Sequence, residues 1–113
     1  MIKELPMNKS SLFGRNIIFS GGGYFRLLPY GVISSMMDKS EYVMTYFHPR
    51  DFDPDQPVLS SLPLKRKFMS YTGLKNSFSK LKRLLNDHKF VTVNEAVGMV
   101  EWEGAPLVNL EKY

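Results

Sequence analysis

A histidine stands at the end of the strongest β-forming run in this chain. Tyr42, Val43, Met44, Thr45, Tyr46 and Phe47 lead into His48-Pro49, and a loop dense in acids and prolines follows, Arg50-Asp51-Phe52-Asp53-Pro54-Asp55-Gln56-Pro57. Strand ends that open into rigid polar loops are where α/β enzymes aim reactive side chains, and imidazole can give or take a proton near neutral pH. An edge strand with a surface histidine fits the same stretch equally well. A second stretch, Gly21-Gly22-Gly23-Tyr24-Phe25-Arg26, offers three glycines in succession. They permit positive φ or a close backbone approach, as in a loop packed under a ligand, and equally suit a flexible surface turn. Their spacing is neither a dinucleotide fingerprint nor a P-loop. Asp51, Asp53 and Asp55 alternate as calcium ligands do, but the glycine and terminal glutamate of an EF-hand loop are missing, which favours a turn held by Asx hydrogen bonds. A third cluster, Lys65-Arg66-Lys67 near Phe68 and Tyr71, has the residue types that contact phosphates or nucleobases, although a solvated helix face is the commoner meaning of such a run.

The chain that must position these groups has 113 residues, 43% of them hydrophobic, which is enough for one small domain with a core. It has no cysteine, so disulfides and thiolate metal sites are excluded. Fifteen basic against eleven acidic residues give a net charge of +4, too mild to imply nucleic acid. No apolar run has the length of a membrane span, and Met1-Ile2-Lys3-Glu4 does not begin a secretory signal, so a soluble segment is expected.

In chain order, Ile2 to Leu5 is a short strand candidate, and a turn-rich loop through Gly14 leads to a buried strand at Ile17-Ile18-Phe19. Val32, Ile33, Met36 and Met37 recur at helical spacing, predicting a helix from near Leu28, with Pro29 in its first turn, to about Asp38. Glu41 to His48 is a strand. Leu64 to Phe68 predicts a short basic helix or turn ending at Tyr71-Thr72-Gly73. Asn76 to Asp87 is the clearest amphipathic helix, with Phe78, Leu81, Leu84 and Leu85 on one face. Phe90 to Val93 is a strand candidate, and Thr92 with Glu95 makes a capping box for a last helix to about Val100. The alternation predicts an α/β fold with parallel strands.

Taken together, the segments at 21–30 and 46–57 resemble the C-terminal part of polysaccharide deacetylases with a NodB-homology domain, also grouped as carbohydrate esterase family 4. The branch tied to cell-surface polysaccharide synthesis in bacteria is the most similar. The resemblance runs from about Ile2 to Thr92 and includes Tyr71-Thr72-Gly73-Leu74 and the helix after it. It implies a distorted (β/α) barrel that removes acetyl groups from N-acetylated sugars. It also implies a divalent metal such as zinc held by one Asp and two His, a second Asp as general base, and a late histidine as general acid. His48 matches the position of that acid, and Tyr24, Arg26, Gly22, Gly23 and Asp51 match the sugar-site segments. Where relatives often read Trp-Glu-Ile-Asp after His-Pro, this chain has Arg50-Asp51-Phe52-Asp53, which removes a possible stacking surface for sugar.

The family's metal-binding motifs lie upstream of the matched region, and this chain carries only His48 and His88, so no metal is expected in this chain alone. His88 follows the amphipathic helix and suits its C-terminal dipole. A complete barrel needs about 250 residues. Residues 1–93 are therefore expected to be the C-terminal segment of a deacetylase-like domain, inactive alone, and 94–113 a short helix and tail. Its partners would be an N-acetylated polysaccharide and the N-terminal half of the domain, in a soluble or membrane-associated envelope pathway. Apolar surface left uncovered would favour self-association. A small α/β module that binds glycan or protein without catalysis is the alternative, and a basic nucleic-acid module a distant third.

Overall fold

The computed structural model describes residues 1–109. Its first element is a hairpin of β1 (Ser10–Leu12) and β2 (Arg15–Ile17), antiparallel, with Ser10 opposite Ile17 and Leu12 opposite Arg15. The two-residue turn between them places Phe13 and Gly14 at positive φ, the twist that a tight hairpin requires. Five helices follow: α1 (Gly22–Leu27), α2 (Tyr30–Asp38), α3 (Leu64–Tyr71), α4 (Leu74–Asp87) and α5 (Val93–Met99). A 3-10 helix, Pro49–Phe52, interrupts the long connection between α2 and α3.

The molecule is thus a small module of mixed helix and sheet, and the described residues contain no barrel. The parallel sheet expected from the alternation of strands and helices is replaced by the antiparallel hairpin and a single parallel bridge between Gly21 and Tyr46. Ile2 to Leu5 and Phe90 to Val93 form no strand. Each has suitable side chains, but a strand needs a neighbour to take its backbone groups. The glycine run is not a loop either; Gly22 and Gly23 form the first turn of α1.

Tyr42 to His48 is extended, yet much of its backbone pairing comes from side chains. The Asn8 carboxamide bonds both the Tyr42 carbonyl and the Met44 N–H, and Ser20 Oγ donates to the Met44 carbonyl at 2.7 Å. The Tyr46 N–H donates to the Ser20 carbonyl at 3.2 Å, and the His48 carbonyl accepts the Asp51 N–H at 2.9 Å. Side-chain alternation along this segment turns Val43 and Phe47 inward. Ile17, Phe19, Phe25, Ile33 and Leu84 form the buried core against which these residues pack. Edge-to-face contacts run from Phe25 to Phe47 (4.8 Å between centroids), then to Phe52 (5.3 Å), and tie the segment to α1.

One lysine joins α4 to the end of α1. The Lys80 ammonium donates to the carbonyls of Phe25, Arg26 and Leu28 at 2.9, 2.9 and 2.7 Å, which uses all three of its protons. A helix end leaves its last carbonyls without partners, and a cation there is favoured by the helix dipole. Burial lowers the Lys80 pKa from its usual value. The same approach of the two helices explains Gly73, which precedes α4 at φ 79°. A Cβ there would lie 2.6 Å from the Arg26 carbonyl oxygen.

The capping box of α5 is present, with the Glu95 N–H donating to Thr92 Oγ1 at 3.2 Å and the Thr92 N–H donating to the Glu95 carboxylate at 2.7 Å. These bonds lower the Glu95 pKa. A carboxylate with a depressed folded-state pKa stabilises above its unfolded value, about 4.3, and that contribution is lost as pH falls through the folded one. Amide exchange at Glu95 and Ala96 should therefore accelerate selectively below about pH 4, and Thr92→Ala should abolish the selectivity. Lys80→Met should lower stability by on the order of 3 kcal/mol in urea unfolding, because three carbonyls lose a charged donor. An unchanged midpoint would refute the cap.

Candidate functional site

Arg26 lies in the last turn of α1 and is only 6% exposed, and Asp51, in the 3-10 helix, is 4% exposed. Their side chains form a direct ion pair through Arg26 Nη1 and Asp51 Oδ1, and Arg26 Nη2 donates to the Met69 carbonyl of α3 at 2.6 Å. The second Asp51 oxygen accepts the His48 N–H at 2.9 Å, while the Asp51 N–H donates to the His48 carbonyl at 2.9 Å. A single guanidinium thus ties α1 to α3 and to the turn that carries His48. Buried charge survives only when paired and hydrogen-bonded, so the pair dictates where that turn lies. Phe47 points into the core, and by alternation Tyr46 and His48 face outward, with their rings edge to face at 4.9 Å.

The outward face borders a cleft of about 440 Å³ whose lining includes Gly22, Tyr24, Tyr46 and His48, with Met7 and Lys9 from the N-terminal segment. Tyr24 and Tyr46 are exposed there, 40% and 55%, and His48 is exposed as well. Gly21 lets the cleft close on this side. A Cβ on it would fall 2.0 Å from the Tyr46 carbonyl oxygen, so the close backbone approach expected of the glycines is made to a neighbouring chain segment.

Of the residues singled out in the sequence, Gly22, Tyr24 and His48 line the cleft together. Arg26 and Asp51 sit behind it as the buried pair, and Gly23 packs on Met69, its hypothetical Cβ 3.3 Å from the Met69 carbonyl oxygen. Tyr46 was not anticipated, though its position two residues before His48 on an extended segment was a usable signal. Met7 and Lys9 reach the cleft from a distant part of the chain and leave no local sign. The acids after His48 behave as expected of an Asx turn, with the Asp55 N–H donating to Asp53 Oδ1 at 3.1 Å.

A resident metal does not fit these residues. The cleft offers one imidazole, and both oxygens of the neighbouring Asp51 carboxylate are already occupied. Among the described residues no three His, Cys, Asp or Glu side chains converge. His88 is engaged elsewhere, with Nε2 2.9 Å from Ser34 Oγ and Nδ1 3.6 Å from Asp38. That arrangement has the order of a hydrolytic triad, but Ser34 is in the middle of α2, where helical bonding consumes the N–H groups that an oxyanion would need. It is a fastening between α2 and α4.

The sequence matches the family described as Domain of unknown function (DUF3473) over residues 1–98. The chain belongs to that family. No curated protein and no solved structure gives a significant match. The match to DUF3473 includes α1, the His48 turn, α3 and α4, and so the whole of the cleft. Among the described residues no helix is long and apolar enough to cross a membrane.

Arg26→Met leaves the Asp51 charge buried without its partner and should cost about 3–5 kcal/mol, read as a fall in the urea midpoint. Arg50→Ala, one residue before Asp51 but exposed, should change stability by less than about 0.5 kcal/mol. Equal effects of the two substitutions would contradict the assigned role of the pair.

Proposed function

We propose that this DUF3473 chain is the C-terminal segment of a polysaccharide deacetylase and that His48 is its proton donor. The observation that carries this reading is the pinning of a solvent-facing histidine, by its own N–H, to a buried carboxylate at the edge of a cleft with two exposed tyrosines. Association of this family with polysaccharide deacetylases supports it. The resemblance of the segments at 21–30 and 46–57 to that enzyme class supports it independently.

In this reading an N-acetylated sugar lies across Tyr24 and Tyr46, which offer flat apolar faces with polar tips. His48 gives a proton to the amine nitrogen as the acetamide C–N bond breaks, so the amine leaves neutral. Arg26 and Asp51 act through position alone, holding the His48 backbone while the Arg26 Nη atoms and both Asp51 oxygens are engaged. The remaining chemistry of the class, including that of a divalent metal, belongs to residues outside this cleft, and no step assigned here passes through it.

The shape of the chain favours a partner surface. Its radius of gyration is 16.5 Å, against about 13 Å for a compact domain of this length. Large apolar side chains such as Phe13, Leu64 and Leu107 are more than four-fifths exposed. The N-terminal half of a deacetylase domain would cover such surface, and without it self-association would. A bacterial envelope pathway is the setting that the resemblance suggests.

Two measurements test the proposal. The chain alone, supplied with zinc and chito-oligosaccharide, should release no acetate. Combined with a separately produced polypeptide that carries the deacetylase metal-binding motifs, it should restore release, and His48→Ala should lower the restored rate by about 10²- to 10⁴-fold. Release by the chain alone, or a restored rate indifferent to His48, would overturn the assignment. A non-catalytic glycan-binding module is the second reading, favoured by the same two exposed tyrosines. It predicts saturable NMR shifts at Gly22, Tyr24, Tyr46 and His48 with no restored activity.

A further inference from the structure

A second groove opens around Arg50, in the turn that follows His48. About 580 Å³ in volume, it is lined by Arg50, Leu59, Leu62, Lys65, Arg66, Met69 and Ser70. Volumes of this size suit one or two small-molecule units. Three of its seven residues are cationic, drawn from two separate elements, the 3-10 helix and α3. All three are exposed. Among the described residues none of them has a side-chain hydrogen bond or an acidic partner; the three ion pairs lie elsewhere. Lys67, by contrast, is committed to the Ser60 carbonyl at 3.3 Å.

The groove is built rather than incidental. Tyr71 holds its outer wall, accepting the Leu59 N–H at 3.0 Å and donating to the Pro57 carbonyl at 3.2 Å. Its inner wall includes Met69, whose carbonyl receives Arg26 Nη2, so the ion pair that sets His48 also sets this wall. Like charges gathered around one cavity repel one another unless an anion joins them, and Arg in particular matches the two oxygens of a carboxylate.

We infer that this groove binds the carboxylate of an acidic sugar residue, so that the substrate of the His48 cleft is a uronate-containing or otherwise acidic polysaccharide. The inference deepens the deacetylase reading and rests on it for the identity of the polymer. His48 and Arg50 are two residues apart, their Cα atoms at most about 7 Å from each other, so one polysaccharide chain of several sugars can reach both openings. Leu59, Leu62 and Met69 give the groove an aliphatic floor for the C–H face of a ring. Nucleic acid is the less fitting polyanion. Among the described residues none that lines the groove is aromatic, and single-strand binding draws on base stacking together with a basic track.

Calorimetric titration of the chain with tetragalacturonate tests this against three probes: its fully methyl-esterified counterpart, inorganic phosphate and a single-stranded oligonucleotide. The acidic tetramer should bind at least about tenfold more tightly than the neutral one, and Arg50→Ala and Arg66→Ala should each weaken it about three- to tenfold. These residues are exposed, so the variants should keep the parent's unfolding midpoint. The readout is affinity and not acetate release, which separates this claim from the fate of the proton donor. Equal affinity for the methyl ester, tighter binding of phosphate than of the tetramer, or tighter binding of the oligonucleotide would each overturn the inference.

Discussion

Arg26 carries a permanent charge into the interior, and the cost of taking that charge out of water dictates much of what surrounds it. Its guanidinium is matched by Asp51 on one side and the Met69 carbonyl on the other. Asp51 in turn has its second oxygen on the His48 N–H. Three parts of the chain, at positions 26, 48–51 and 69, are thereby fixed relative to one another by groups that would be destabilising if any were left unpaired. Lys80 extends the principle by closing the carbonyl end of the short helix that carries Arg26. With six buried apolar residues among those described, the module relies on such polar fastenings as well as on its core.

The functional reading follows from what these fastenings leave free. Phe47 and Phe52 are drawn into the aromatic stack, and the alternate residues Tyr46 and His48 are turned to solvent beside Tyr24. A histidine whose backbone is held by a buried carboxylate keeps its ring available, which a proton donor requires. The same turn presents Arg50 to a second groove. One short 3-10 helix thus borders both the cleft at His48 and the groove at Arg50.

Helices were largely legible in the sequence because their signals are local. The apolar spacing of Val32, Ile33, Met36 and Met37, the basic turn at 64–71, the face of Leu81, Leu84 and Leu85, and the Thr92-Glu95 box all correspond to observed helices. Strands were not, because a strand is defined by its partner. Ile2 to Leu5 and Phe90 to Val93 have β-forming side chains and no neighbour, whereas Ser10–Leu12 became a strand through a hairpin turn of unusual φ at Phe13. In the cleft, His48, Tyr24 and Gly22 could be found from motifs. The pairing of Arg26 with Asp51 spans 25 residues and has no periodic signature, so the role of both as positioning residues emerged only from the fold.

The central claim is that a buried carboxylate holds the His48 backbone although the residue itself is exposed. Hydrogen exchange at the His48 amide measures this directly. The account predicts that this N–H, in an extended segment at the surface, exchanges as slowly as the core amides of α4 around Leu84, and that Arg26→Met releases it. Exchange at the rate of an unprotected loop amide in the unmodified chain would contradict the account.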